Sequence, residues 1–484
     1  MFQRITNALV VLLCVNAIIW LYTALRFLGY PYSIDFGEGI LLCQSAMLIH
    51  GQNIYPPITD YPYIVSNYHP LYPFIAGIPF LITNPGIWSG RLLTLISCLG
   101  SFSIIGLVVF KSTKNRNLGL ISALLPLCLS YPYNWAFVYR VDYLGIFLSL
   151  LGLYFHMYPP KKYGIYFSII PFALAFMTKL TFVLAPVACI LDLIIRKDKR
   201  SLPFTLGIIL SFGIPYLAIN LATDFGMFRD TLIYTANAFH IDRMIDGFRE
   251  ILSVTLWLWL LVGIGAVTTS GKHKPLLLSY LFLLLISLAT YGAEGSDSNY
   301  FIEIILALCM ISFAWFPSDD WKGSFINLKS IAFILIVVFC FSGRIMNANE
   351  FGEARNLKTS TTNGKQIEAF VANAQGDVIS EEMSFLARNG KQMVFQPYIM
   401  SLLYRKGKWD QTRFVDDLRD GKFNLIILRF DVNDLNHTDK PGMYGEAGFD
   451  RFTNEMEEAI KTSYQVFNPI RVGNDNWYVY MPKS

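Results

Sequence analysis

Charged side chains are scarce through most of this 484-residue chain, so the few that interrupt apolar runs are the first candidates for chemistry. The stretch "SIDFGEG" sets Asp35 and Glu38 three residues apart, just after a long apolar run. Carboxylates at that point suit general-base work on a hydroxyl. The same spacing suits a capping box, with Asp35 as N-cap and Glu38 at the third position of a following helix. Further on, "FVYRVDYLG" puts Arg140 beside Asp142, and "AFMTKLTFVLAP" puts Lys179 in an almost continuous apolar stretch. A guanidinium and an ammonium there suit a phosphate. A local ion pair for Arg140, and snorkelling to lipid headgroups for Lys179, are the plainer alternatives.

Three other stretches add polar groups. "NYHPLYP" supplies Tyr68, an aromatic face for a sugar ring, and His69, a nitrogen for a phosphate or hydroxyl. An interfacial aromatic belt would have the same composition. "YGAEGSDSNYFIEIILAL" gathers Glu294, Asp297 and Asn299, groups that hold hydroxyls, with Glu303 one turn inside the next apolar run; Asp297 also suits a helix cap. "FHIDRMIDGFRE" offers Arg243 as a further phosphate ligand, in a segment that alternates charge and bulk as a solvated helix face does. The seven Cys form no CxxC or Cys/His cluster, so neither a zinc site nor a disulfide framework is expected. No Walker, GxGxxG, HExxH or GxSxG pattern stands in a suitable context. No cofactor is expected; a divalent metal is compatible with so many acids, but no ligand spacing indicates one.

The elements that must position these residues follow from composition. The chain is 54% hydrophobic and 15% charged, against roughly 25% charged in soluble domains, so a membrane is its natural solvent. Residues 1–346 carry 22 Lys/Arg and 16 Asp/Glu, about 11%, whereas residues 347–484 carry 17 and 19, about 26%. The shift predicts a polytopic helical membrane domain over 1–346 and a soluble α/β domain over 347–484. The net charge of +4 belongs mostly to loops between apolar runs and does not suggest nucleic acid.

About eleven crossings are predicted, near 8–28, 87–110, 117–134, 141–158, 163–177, 180–196, 203–222, 251–270, 275–292, 299–316 and 328–346. Every second connection is basic: "KSTKNRN", "PPKKYG", "RKDKR", "GKHKP" and "SDDWKGSFINLK". By the positive-inside rule that face is cytoplasmic, with the N-terminus inside and the C-terminal domain outside. This register requires that 68–82, short and broken by Pro, does not fully cross. The first run lacks a small-residue cleavage site and reads as a retained helix. The acids then fall on the outer face, where the loop 29–86 holds an interfacial helix over 37–51 with Ile40, Leu41, Met47 and Leu48 at helical spacing. In the tail, short β runs alternate with amphipathic helices, and "NDNWYVYMP" closes it as an expected edge strand.

These parts resemble the GT-C superfamily of polytopic glycosyltransferases, including protein O-mannosyltransferase-like and lipid A aminoarabinose transferase-like enzymes. The likeness rests on Asp35 and Glu38 in the first outer loop, then "YHPLYPFIAG", "SGRLLTLISC", "RVDYLGIFLSLLGLYF", "KLTFVLAPVA" and "GSDSNYFIEIILAL". Here Phe36 and Gly37 separate the two acids, and His69-Pro70 stands where many members have Pro-Pro. The resemblance implies an enzyme of a bacterial cytoplasmic membrane, a hexosyl- or pentosyltransferase. It would move a sugar, with inversion, from a polyprenyl-phosphate donor to a hydroxyl of a lipid, glycan or protein acceptor. Asp35 would be the base, with Glu38 as its alternate. Arg140, Lys179, His69 and Arg243 would bind the donor phosphate, and Glu294, Asp297, Asn299 and Tyr68 the sugar or acceptor. A transporter or flippase of lipid-linked saccharides, or a polymerase or ligase of them, are the competing functions. A transporter would lead one to expect pseudo-symmetric halves and charges at the bilayer midplane, neither of which the sequence displays.

Overall fold

The computed structural model describes residues 2–161, 163–268, 271–315, 348–434, 451–467, 469–472 and 475–483. The apolar runs fold as helices because only intra-segment hydrogen bonds satisfy a backbone in hydrocarbon. In chain order they are α1 (Phe2–Leu28), α2 (Phe36–Ile49), α3 (Leu71–Gly77), α4 (Trp88–Thr113), α5 (Arg116–Leu124), α6 (Ser130–Trp135) and α7 (Asp142–Met157). There follow α8 (Ile169–Phe176), α9 (Leu184–Ile195), α10 (Ser201–Ala222), α11 (Gly226–Phe228), α12 (Ile241–Thr268), α13 (Lys274–Ser287) and α14 (Ile302–Ala314).

Five segments are each long and apolar enough to cross a membrane: Thr6–Leu28, Trp88–Thr113, Ser201–Ala222, Ile241–Val267 and Lys274–Gly292. Shorter apolar helices pack among them, and the chain is a polytopic integral membrane protein. The run at 117–134 is broken where Pro126 enters a 3-10 turn, Leu125–Cys128, before α6 begins. The run at 68–82 becomes α3 and a 3-10 turn, Ile78–Leu81. At 1.5–2 Å per residue that is less than about 20 Å, too short for a hydrocarbon core of roughly 30 Å. The expected crossing at 328–346 and the domain boundary beside it lie outside the described residues. Outward-facing Val11, Ile18 and Leu25 of α1, and Leu202, Leu210, Ile214 and Leu221 of α10, leave an apolar surface that suits lipid.

The C-terminal region is the expected small α/β unit, built from α15 (Ala348–Asn373), α16 (Met383–Arg388), α17 (Pro397–Arg405), α18 (Thr412–Arg419), α19 (Asn454–Ser463) and a five-stranded sheet. The strands are β1 (Val378–Ser380), β2 (Leu425–Leu428), β3 (Tyr464–Val466), β4 (Ile470–Val472) and β5 (Asp475–Pro482). β1 and β2 are parallel; β5 runs antiparallel to β2 on one side and to β3 and β4 on the other. The closing strand is thus interior, not an edge. Trp477, Val479 and Tyr480 of this strand are buried.

The helix predicted over 37–51 spans Phe36–Ile49. It does not lie on an open surface, since nine of its 14 residues are buried, packed between α3 and the C-terminal α16. Its start is fixed by an ion pair. Arg91 of α4 and Glu38 of α2 are both fully buried and meet at 2.7 Å. Arg91 donates through Nε to Glu38 Oε1 (2.8 Å) and through Nη2 to Oε2 (2.7 Å). Its remaining N–H groups donate to the carbonyls of Phe27 (2.5 Å), Tyr30 (2.8 Å) and Tyr32 (2.8 Å). Glu38 also accepts from the backbone N–H of Tyr139 and Ile34, at 2.8 and 2.7 Å.

Removing one partner of such a pair leaves the other charge buried and alone, which costs on the order of 3–5 kcal/mol. Glu38→Ala and Arg91→Ala are each expected to melt far below wild type in mild detergent, read by thermal unfolding.

Candidate active site

Asp35 is the N-cap of α2: its Oδ1 accepts from Gly37 N–H at 3.0 Å, and the reciprocal contact from Glu38 completes a capping box. The cap holds the carboxylate at the helix mouth, where it forms an ion pair with Arg140 Nε at 2.7 Å. About a fifth of the Asp35 side chain remains exposed (21%), whereas Glu38 has none. The guanidinium of Arg140 lies so close to α2 that a Cβ at residue 37 would fall 2.3 Å from its Nη1; any side chain at Gly37 would have to displace it.

Arg140 also donates to the Tyr68 hydroxyl (3.3 Å) and stands 5.6 Å from the Trp135 ring. Beyond it is a second pair. Lys179, in the turn between α8 and α9, donates to Asp142 Oδ1 at 3.1 Å. Asn299 donates to the same oxygen at 3.0 Å. The Lys179 ammonium faces the rings of Tyr300 (4.6 Å) and Tyr68 (5.7 Å). Asp142 Oδ2 is buried with no hydrogen-bond partner among the described residues. Burial works against the charge on Arg140 and on Lys179. The Asp35 carboxylate for Arg140, and the Asp142 carboxylate for Lys179, outweigh it and hold both pKa values above their ordinary ranges.

The structure therefore brings together Asp35, Tyr68, Arg140, Lys179 and Asn299 from five separate segments, and adds Asp142, Tyr300 and Trp135. Arg140 and Asp142 do not pair with each other. The chain turns into α7 at Asp142, so residues two apart face different neighbours. The other candidates lie elsewhere. Glu38, with both oxygens occupied by Arg91 and backbone donors, belongs to the frame. His69 is buried against Phe176 and Tyr216, its Nδ1 2.6 Å from the Phe176 carbonyl, and ties its loop to the end of α8. Arg243 donates to the Ser296 carbonyl (3.0 Å) and lies near the Tyr291 ring. Asp297 is an exposed cap on Ser298. Glu294 is bound through its backbone to Ala238 and Asn237. Glu294 and Asp297 belong to a loop, held by Arg243 of α12, that reaches the cluster through Ser298, whose hydroxyl accepts from Trp135 at 3.1 Å. Glu303 accepts from Tyr280 at 2.7 Å. Among the described residues no three His, Cys, Asp or Glu side chains are grouped to hold a metal ion.

The fold and this geometry can be set beside known proteins. Residues 66–219 match the family model for dolichyl-phosphate-mannose-protein mannosyltransferase. The structure is similar to that of ArnT from Cupriavidus metallidurans bound to undecaprenyl phosphate, with a TM-score of 0.63 at 9% identity over 98% of both chains. The apo form of the same ArnT gives 0.60 at 11% identity, again over 98% of both chains. The chain has the GT-C fold. No curated protein matches it by sequence. The GT-C likeness extends over the C-terminal sheet as well as the membrane helices, since both chains are covered almost end to end. The family-model match takes in Tyr68, Arg140, Asp142 and Lys179, and stops short of Asp35 and Asn299.

The loop carrying Tyr68 rests on a buried acid. Asp230, in a π-helical turn (Arg229–Tyr234), accepts from the Ser66 N–H at 2.8 Å, and its Oδ1 is buried without a hydrogen-bond partner among the described residues. Burial pushes its carboxyl up to about 8. The folded state prefers the neutral acid, so the group's contribution to stability is full below the ordinary carboxylate range and is lost as pH rises through about 8. Asp230→Asn, neutral at every pH, is expected to melt above wild type by a margin that widens from pH 5 to pH 8.5. A constant margin would place the acid elsewhere.

Proposed function

We propose that this chain is a membrane glycosyltransferase that moves a sugar from a polyprenyl-phosphate donor to an acceptor hydroxyl on the outer face, with inversion at the anomeric carbon. The observation that carries this reading is a partly exposed carboxylate, Asp35, paired with Arg140 and close to a second cation, Lys179, with the rings of Trp135 beside Arg140 and of Tyr68 and Tyr300 beside Lys179. The likeness to an ArnT bound to undecaprenyl phosphate and the match to a dolichyl-phosphate-mannose-dependent family support a lipid-phosphate donor.

In this chemistry the acceptor oxygen attacks the anomeric carbon and its proton passes to Asp35. The bond from that carbon to the phosphate oxygen breaks, and the electron pair leaves with the polyprenyl phosphate. Charge builds on the sugar ring in an oxocarbenium-like transition state and on the departing phosphate, which Arg140 and Lys179 stabilise from fixed positions. Asn299 and Tyr68 orient sugar hydroxyls, and Asp142 holds Lys179 in place. Glu38 has no part in the chemistry beyond fixing α2. The transferred sugar is a hexose or pentose, and the acceptor a lipid, glycan or protein. Residues 1–346 form the catalytic membrane domain, in a bacterial cytoplasmic membrane with the N-terminus inside, and residues 347–484 form an outer domain.

The test is transfer by purified protein in nanodiscs, using radiolabelled polyprenyl-phosphate sugars and a membrane extract as acceptor source. Asp35→Asn is expected to remain folded and bind donor while losing about 10²- to 10⁴-fold in turnover. Lys179→Met is expected to weaken donor binding as well. Full transfer by Asp35→Asn would refute the assignment of the base. Binding without turnover in wild type would favour a transporter.

A further inference from the structure

The residues on either side of Asp35 are held from outside the membrane domain, by a set of charged side chains in the C-terminal unit. Ser33 Oγ donates to Glu382 Oε1 at 2.6 Å, and the same oxygen accepts from Ser384 N–H at 3.0 Å, capping α16. Glu382 is almost wholly buried (4% exposed), and Arg429 approaches its other oxygen at 4.0 Å. Arg451 stacks its guanidinium 3.8 Å above the Phe36 ring and pairs with Glu381 at 3.0 Å. Glu381 in turn accepts from the backbone N–H of Arg429. One turn into α2, a Cβ at Gly39 would fall 2.7 Å from Ser384 N, so α16 and α2 touch backbone to backbone. Cys43 Sγ donates to the Met383 carbonyl at 3.4 Å.

Asp35 therefore lies between two gripped residues, Ser33 and Phe36, and neither grip comes from the turns that carry Arg140 and Lys179. We propose that Glu382 and Arg451 are positioning residues for the base: the C-terminal unit sets the direction in which the Asp35 carboxylate points. Within the membrane domain the helix start is held by Glu38 on Arg91 and Tyr139 and by Asp35 on Arg140. The Ser33–Glu382 hydrogen bond and the Phe36–Arg451 stack add two further contacts from the C-terminal unit, on either side of the N-cap in sequence. Catalysis depends steeply on such placement, since a shift of about 1 Å at a reacting group costs on the order of 10²-fold in rate.

The inference rests on the reading of Asp35 as base, so Asp35→Asn is assayed in parallel. In full-length protein in nanodiscs, Glu382→Ala and Arg451→Ala are expected to lower kcat about 10- to 100-fold with the donor KM unchanged. Faster amide exchange over residues 33–43 should accompany the loss. Glu382→Gln keeps an oxygen for Ser33 and Ser384 and is expected to stay within about threefold of wild type; Arg451→Lys keeps a cation over Phe36 but not the planar stack, and should recover only part of the loss. If Asp35→Asn is inactive while both alanine variants turn over like wild type, the positioning role is overturned and the base stands. It is also overturned if the alanine variants lose kcat only in proportion to a fall in melting temperature, or if Glu382→Gln is as impaired as Glu382→Ala. Full activity of Asp35→Asn would instead remove the base assignment on which the inference rests.

Discussion

Arg91 donates every N–H of its guanidinium, and Glu38 takes two of them; nearly all else around the mouth of α2 is placed by that pair. The carbonyls of Phe27, Tyr30 and Tyr32 bring in the end of α1. Glu38 brings in α2, Arg91 itself α4, and the N–H of Tyr139 the turn into α7. A charge with no access to water tolerates only an arrangement in which every polar atom has a partner. The pair therefore selects one relative position for four segments. Asp35 lies three residues before Glu38, and Arg140 directly follows Tyr139. Their 2.7 Å contact is inherited from the buried pair beneath it.

The cluster above that pair is assembled from distant pieces of chain: the loop before α3, the mouth of α2, the turns before α7 and α9, and the turn before α14. Each contributes one or two polar residues at the end of an apolar helix. The helices bury their apolar faces against one another, and the polar ends have nowhere to go but together. Two carboxylate–cation pairs form in surroundings of low dielectric, and in each the carboxylate holds its cation charged. The second grip on α2, from Glu382 and Arg451, joins the C-terminal sheet to the same point.

Much of this was legible from residue types alone. A lysine in an apolar run is costly unless it has work to do, and Lys179 stood out for that reason; Arg140 stood out as a guanidinium at a helix end, and Asp35 as a carboxylate at a helix mouth. Tyr68 and Asn299 followed from aromatic and amide groups beside prolines and acids. Pairing was not legible. Arg140 and Asp142 are neighbours in sequence, yet each finds its partner far along the chain, at Asp35 and Lys179. Arg91 opens an ordinary-looking apolar helix, and nothing local marks it as the group that neutralises Glu38. His69 had the chemistry of a ligand but the burial of a wall. In the C-terminal region the alternation of "NWYVYMP" established a strand, but alternation cannot tell an interior strand from an edge; the pairing of β5 with β2 and with β3 decides it.

The two pairs have a consequence for the end of a catalytic cycle. Asp35 with Arg140, and Asp142 with Lys179, make a site whose four charges sum to zero before anything binds. A site with a net positive charge would hold a phosphate tightly, and would hold it tighter still once cleavage had added charge to it. Here each cation is already shared with a carboxylate, so a spent lipid phosphate competes with Asp35 and Asp142 for the donors that retain it. Under the proposed chemistry, the carboxylates that orient the cations also help to discharge the carrier, and the site resets by closing its own ion pairs.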